Sequence, residues 1–266
     1  MNSPLFSLAG RTALVSGASR GLGKGFALTL ARAGADVAIT SRTLDSLRGT
    51  AAEIEALGRR AIPLELDVRD HASIQDCARQ ALAAFEGKLD ILVNNAGCNV
   101  RKPAAEMAWE DWNLILDTNL RGVFFLAQAI ARDGMIPRGS GRIINIGSVT
   151  CQAGYAGLAP YGASRGGVKQ LTMSLAHDWG RHGITVNCLA PGWFKTEQNR
   201  VLYENEGWVE YLCERIPLGR PGAPGDLDGA LLFLASEASA YVTGQTLYVD
   251  GGITVGAVRA MPLPKN

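Results

Sequence analysis

Along the chain, short apolar runs rich in β-branched residues alternate with longer amphipathic or Ala-rich stretches. The runs are RTALVS (11–16), DVAITS (36–41), AIPLEL (61–66), DILVNN (90–95), GRIINIGS (141–148), GITVNCLA (183–190) and QTLYVD (245–250). Between them lie stretches such as GKGFALTLARAG (23–34) and SIQDCARQALAAFEG (73–87). Apolar strands that do not alternate with polar residues belong to sheets buried on both faces, and strands separated by helices pair in parallel. Right-handed crossovers then predict an α/β fold, a Rossmann-type doubly wound parallel sheet of about seven strands. The rhythm runs from Arg11 to Asp250 without a linker, repeat or low-complexity tract, so 1–266 reads as a single dinucleotide-binding and catalytic domain.

Composition narrows the function classes. The 266 residues are 47% hydrophobic and 19% charged, with a formal charge of +1. That balance argues against a nucleic-acid surface. No apolar run approaches the length of a membrane span, and the start MNSPLFSLAGR lacks a basic-then-apolar leader pattern. Five cysteines (Cys77, Cys98, Cys151, Cys188, Cys213) show no metal-type spacing and read as reduced, packed thiols of a cytoplasmic protein. His71, His177 and His182 have no convergent ligands in the sequence, so no metal site is expected.

The first strand ends in SGASRGLGKG, which places Gly17, Gly21 and Gly23 around Ser19, Arg20 and Leu22, directly before a helix. Glycines there let the backbone approach a pyrophosphate, which the helix N-terminus stabilises through its free N–H groups and dipole. The second strand ends in Ser41 and Arg42 where an NAD-binding chain would carry an acid. Arg42, Arg20 and the Ser41 hydroxyl suit a doubly charged 2′-phosphate, so NADP(H) is the expected cofactor.

Further motifs recur in order. NNAG (94–97) closes the fourth strand, Asn119 sits in DTNLRG, and Ser148 follows RIINIG. Tyr161 comes thirteen residues after Ser148, PGWFKT (191–196) follows the sixth strand, and GQTLYVDGG ends the core. In this register they resemble the short-chain dehydrogenase/reductase family over essentially the whole chain. The resemblance implies that Ser148 hydrogen-bonds the substrate carbonyl oxygen and that Tyr161 exchanges a proton with it. It implies that Asn119 holds a water of a proton relay. Asp67 and Val68 match the pair beside the adenine, and Asn94, Ala96 and Gly97 the turn along the adenosine ribose. Pro191, Gly192, Phe194 and Thr196 match the segment at the nicotinamide end, with Phe194 where Val or Ile is usual and Ser16 where Thr is usual. It also implies a homotetramer, with helices beginning near Trp112 and Tyr161 across one interface and the C-terminal run GITVGAVRAMPLP at another.

The departure from the family pattern is Arg165, where Tyr-x-x-x-Lys is expected. A cation about 5 Å from the phenol at an effective dielectric near 20 supplies roughly 3 kcal/mol towards the phenolate. Arginine keeps that electrostatic role but has no proton to lend to a relay, and its fork is larger than an ammonium. Two classes follow: an NADP(H)-dependent oxidoreductase interconverting a secondary alcohol and a ketone, and a cofactor-binding chain with weak or no turnover.

For the substrate, NNAGCNVRKP sets Arg101 and Lys102 just past the cofactor turn, and a polar, aromatic-bearing segment at about 194–220 stands where the family has its variable lid. Both stretches resemble those of gluconate 5-dehydrogenase-like sugar-acid and polyol dehydrogenases. On that reading Arg101 pairs with a carboxylate beside Ser148, Tyr161 and Trp193. The rival is a hydrophobic or aromatic ketone under Trp193, Phe194, Trp208 and Tyr211, with Arg101 and Lys102 a solvated pair.

Overall fold

In the computed structural model, which describes residues 4–196 and 200–256, strands and helices alternate along the whole chain. They run β1 (Thr12–Val15), α1 (Gly21–Arg32), β2 (Asp36–Ser41), α2 (Arg48–Ala56), β3 (Ala61–Glu65), α3 (His71–Ala84) and β4 (Ile91–Asn94). Next come α4 (Trp109–Leu116), α5 (Gly122–Ile130), α6 (Ile136–Arg138), β5 (Gly141–Ile146), α7 (Ala159–Trp179) and β6 (Ile184–Pro191). The last are α8 (Arg200–Tyr203), α9 (Glu206–Arg215), α10 (Asp228–Ala235) and β7 (Thr246–Val249). All seven expected strands form, in the order β3-β2-β1-β4-β5-β6-β7 with every pairing parallel.

Strand residues feed the two faces alternately, because successive side chains point to opposite sides. Ala13 and Val15 of β1 join a core with Phe26, Leu30, Ile54 and Leu231 from α1, α2 and α10. Leu14 joins the opposite core with Ile74, Leu126, Ile130 and Leu175 from α3, α5 and α7. Each such buried Leu, Ile or Phe contributes roughly 1.5–3 kcal/mol of transfer free energy. The strand order turns about β1 and β4, where crossovers leave in opposite directions. The loops after β1, β2, β4, β5 and β6 meet at that end.

The helical run Trp109–Arg138 is long and apolar enough, by length and composition, to cross a membrane. This corrects the expectation that no segment comes near that length. Half of its most apolar window is buried in the fold, and Leu126, Ala127 and Ile130 pack in the sheet's core, as in the core helix of a globular domain. The run is interrupted by π-turns at Asp117–Arg121 and Ala131–Met135.

Candidate active site

The glycine loop links β1 to α1 with its glycines where a side chain cannot go. A Cβ on Gly23 would lie 2.1 Å from the Gly17 carbonyl oxygen and 2.4 Å from Asn95 Nδ2. Asn95 Nδ2 donates to the carbonyls of Ser16 and Gly17 at 3.0 and 3.1 Å, and the Ser16 hydroxyl accepts from the N–H groups of Asn95 and Ala96 at 3.0 Å each. Serine for threonine at position 16 therefore keeps the group that ties this loop to the β4 turn. The N–H groups at the start of α1 are left facing the cleft, with Arg20 as the residue before the helix.

That cleft, about 700 Å³, runs across the carboxyl ends of the strands. It is lined by Gly17, Ser19, Arg20, Gly21, Leu22 and Gly23, by Ser41 and Arg42, by Asp67 and Val68, and by Ala96, Gly97 and Arg101. Ser148, Tyr161, Arg165, Pro191, Gly192, Trp193, Phe194 and Thr196 complete the wall among the residues read from sequence. Arg20 and Arg42 are exposed at one end. Among the described residues Asp67 is the one acid lining the cleft. Its carboxylate is taken by Arg69, whose Nε and Nη2 donate at 3.0 and 2.6 Å and hold its carboxyl below the usual range. A dinucleotide fits this setting: a helix N-terminus flanked by glycines, and two arginines where an extra phosphate would sit.

Two residues assigned from sequence do not line the cleft. Asn94 is buried at the end of β4, where its Nδ2 donates to Asn145 Oδ1 at 2.9 Å and Asn145 in turn donates to Thr172 Oγ1 at 3.0 Å. It joins β4, β5 and α7 instead of facing a ribose, because the last residue of a strand still alternates into the core. Asn119 lies in the first π-turn and is fully buried. Its amide exchanges hydrogen bonds with the Cys98 backbone, at 2.8 Å to its Oδ1 and 2.9 Å from its Nδ2, and also donates to Ser164 Oγ at 3.2 Å. Its side chain thus clamps the cleft wall to α7. Sequence reasoning missed Asn95 and Arg69. Their signals were a second amide in NNAG and a cation two residues after Asp67.

The third group gathers around α7, which starts at Ala159 with Pro160 in its first turn, where a missing N–H costs nothing. Tyr161 and Arg165 stack one turn apart, with the guanidinium carbon 5.1 Å from the phenol ring centroid. Arg165 is only 4% exposed; its Nη1 donates to the Ile146 carbonyl at 2.8 Å and its Nη2 packs where a side chain on Gly97 would be. Its Nε has no hydrogen-bond partner. Ser148, just past β5, is buried, and its hydroxyl accepts from the Thr150 N–H at 3.1 Å, leaving its proton available to the cleft.

At the substrate end the two basic loop residues separate. Lys102 is paired with Asp111 of α4, while Arg101 lines the cleft with its guanidinium 5.8 Å from the Trp208 ring. Trp208 meets Trp193 edge-on at 5.2 Å, Trp193 meets Tyr155 at 5.6 Å, and Tyr211 stacks on Trp208 at 5.6 Å. Trp193, Trp208 and Tyr211 therefore contact one another in series, and Trp193 and Phe194 line the cleft. Of the expected lid, α8 and α9 are described and 197–199 lie outside the described residues, as does the C-terminal run from 257. Among the described residues no three His, Cys, Asp or Glu side chains converge as a metal site.

Known proteins are similar to this chain in sequence and fold. A family model described as enoyl-(acyl carrier protein) reductase matches residues 17–254. A gluconate 5-dehydrogenase of Gluconobacter oxydans is 48% identical over 254 residues, covering 94% of this chain and 97% of that one. The 2-dehydro-3-deoxy-D-gluconate 5-dehydrogenase of Escherichia coli is 41% identical over 247 residues, 93% of this chain and 96% of its own. Among solved structures, a gluconate 5-dehydrogenase from Burkholderia cenocepacia in complex with NADP and tartrate superposes with a TM-score of 0.91 at 43% identity, covering 95% of this chain and 98% of the other. A short-chain type dehydrogenase/reductase from Mycobacterium marinum gives 0.91 at 37% identity, covering 96% and 100%.

Proposed function

The chain belongs to the short-chain dehydrogenase/reductase family as an NADP-dependent oxidoreductase, and from that premise we propose that it interconverts a secondary alcohol and a ketone on a sugar acid of the gluconate type. The observation that carries the reading is that Arg101 lines the same cleft as Ser148 and Tyr161. A cation there recognises a carboxylate on the molecule whose carbonyl meets the serine and the tyrosine. The names of the relatives, one of them solved in complex with NADP and the carboxylate tartrate, support it.

When bound, the dinucleotide would supply hydride-transfer chemistry at the carbonyl carbon. Gly17, Ser19, Gly21, Leu22 and Gly23 would hold its pyrophosphate side, with Arg20, Ser41 and Arg42 at the 2′-phosphate. Val68, Ala96 and Gly97 would line the adenosine, and Pro191, Gly192, Phe194 and Thr196 the nicotinamide end. Ser148 donates a hydrogen bond to the substrate oxygen, and Tyr161 gives it a proton in reduction or takes one in oxidation. Arg165 stabilises the phenolate left behind. The alternative of a cofactor-binding chain without turnover is not favoured, since Ser148, Tyr161 and a cation all stand at the cleft. The aromatic-ketone alternative loses its main support, because Trp208 and Tyr211 are spent on each other, on Trp193 and on Arg101.

Following NADPH absorbance with 5-keto-D-gluconate, a neutral polyol-derived ketone and an aryl ketone tests the reading. The keto acid is expected to give the highest kcat/KM by at least tenfold. A neutral or aryl ketone turned over best would overturn it.

A further inference from the structure

Beneath the active site two thiols meet that the chemistry above does not use. Cys151 follows Ser148 in the short helical turn Val149–Cys151, and Cys188 is buried in the middle of β6. Their sulfurs converge over Gly147, where a Cβ would lie 2.9 Å from Cys151 Sγ and 2.5 Å from Cys188 Sγ. The Cys188 thiol neighbours the Cys151 sulfur. Cys151 Sγ also accepts the Ser148 N–H at 3.4 Å and donates to the Arg165 carbonyl at 3.0 Å. One sulfur therefore joins the serine turn to the helical turn that carries Tyr161 and Arg165.

We propose that Cys151 and Cys188 form a redox-responsive dithiol under the active site, closed to a disulfide by hydroperoxides, and that closure arrests turnover by withdrawing the Cys151 sulfur from Ser148 and Arg165.

The surroundings assign the two thiols different roles. The Cys188 hydrogen bond, then the Ser148 N–H and the Arg165 and Lys169 charges, bring Cys151 down to about 7 against the opposing effect of burial. Cys188 is pushed well up by its bond to Cys151 and by burial. Tyr248 of β7 faces both, and burial pushes its phenol up to about 12, so it adds no charge at neutral pH. Cys151 is thus the attacking thiolate and Cys188 the resolving thiol. The Cys151 sulfur attacks one oxygen of the peroxide, the O–O bond breaks, and the departing oxygen takes a proton to leave as water from hydrogen peroxide, or as the alcohol from an organic hydroperoxide. The resulting sulfenic acid is attacked by the Cys188 sulfur: the S–S bond forms, the S–O bond breaks, and the oxygen leaves with the Cys188 proton as water. Two thiols are oxidised by two electrons and one hydroperoxide is reduced.

The full-length protein, reduced and then titrated with hydrogen peroxide near equimolar, is read by intact mass, peptide mapping and NADPH oxidation in parallel. The expected result is a loss of about 2 Da with Cys151 and Cys188 peptides linked, at least a tenfold fall in kcat, and recovery of both with dithiothreitol. Cys188→Ala should stop at a sulfenic acid on Cys151, about 16 Da heavier and trapped by dimedone. A Cys98→Ser/Cys213→Ser variant should still link Cys151 to Cys188. Unlinked peptides after peroxide, linkage without loss of activity, or inactivation that follows Cys98 or Cys213 would each overturn the proposal. The mass readout needs no substrate, so its failure is distinct from failure of the sugar-acid reading.

Discussion

Replacing Arg165 by lysine tests what the buried guanidinium does. The side chain is 4% exposed, with its charge 5.1 Å from the Tyr161 ring centroid. Lysine would carry the same unit charge, so charge alone should not distinguish the two cations. Two other effects do. Lysine forfeits the 2.8 Å bond to the Ile146 carbonyl, which should lower stability by about 1–2 kcal/mol. It gains three rotatable donors and a proton that can be lent and recovered, which a guanidinium cannot offer. We expect Arg165→Lys to raise kcat by about ten- to a hundredfold, or about 1.4–2.7 kcal/mol of barrier, while Tm falls by a few degrees. Stopped-flow NADPH oxidation against pH, with a thermal melt, reads both. A lower kcat at unchanged NADPH affinity would refute the reasoning and mean that the pocket formed by Ile146 and Gly97 is built around the larger fork.

Four more outcomes are expected. Tyr161→Phe removes the positioned acid and should cut kcat by about 10²–10⁴-fold, with NADPH affinity by fluorescence titration changed by no more than a few-fold. Arg42→Asp should shift the NADPH over NADH preference in Kd by at least about tenfold, roughly 1.4 kcal/mol, towards NADH, and equal affinities in the parent would refute the 2′-phosphate assignment. Arg101→Ala should raise KM for a keto acid by about ten- to a hundredfold and leave a neutral ketone nearly untouched, since a hydrogen bond to a charged group is worth about 1.5–3 kcal/mol. Gly23→Ala forces a methyl to within 2.1 Å of the Gly17 carbonyl, so by overpacking of about 1–3 kcal/mol both Tm and NADPH affinity should fall.

The strands were legible because a parallel sheet buried on both faces leaves continuous apolar runs, and those runs became β1 to β7 in place. The glycine loop and the Tyr161–Arg165 pair were legible for the same local reason: each needs a particular residue at a particular step within one turn. What resisted was long-range. That Asn94 turns inward to Asn145 depends on which face the last β4 residue presents, and NNAG alone does not decide between its two amides. Lys102 left the cleft because Asp111, nine residues on, claims it. Cys151 and Cys188 are 37 positions apart in sequence and meet because β5 and β6 are neighbours, which no spacing rule encodes.

The π-turns give the helical run a reading frame. Each holds one residue more than an α-turn would, and so rotates everything after it by about 100°. Deleting one residue between Asp117 and Arg121 would leave a regular helix, locally more comfortable, yet would swing Val123, Leu126, Ala127 and Ile130 out of the core they now fill. The same deletion would carry Asn119 away from Cys98 and Ser164. A deletion at Ala131–Met135 could not compensate, because α5 lies between the two turns and would already face the wrong way. Length variation among relatives should therefore collect in the loops before Trp109 and after Arg138, with 109–138 inherited as a block of fixed length.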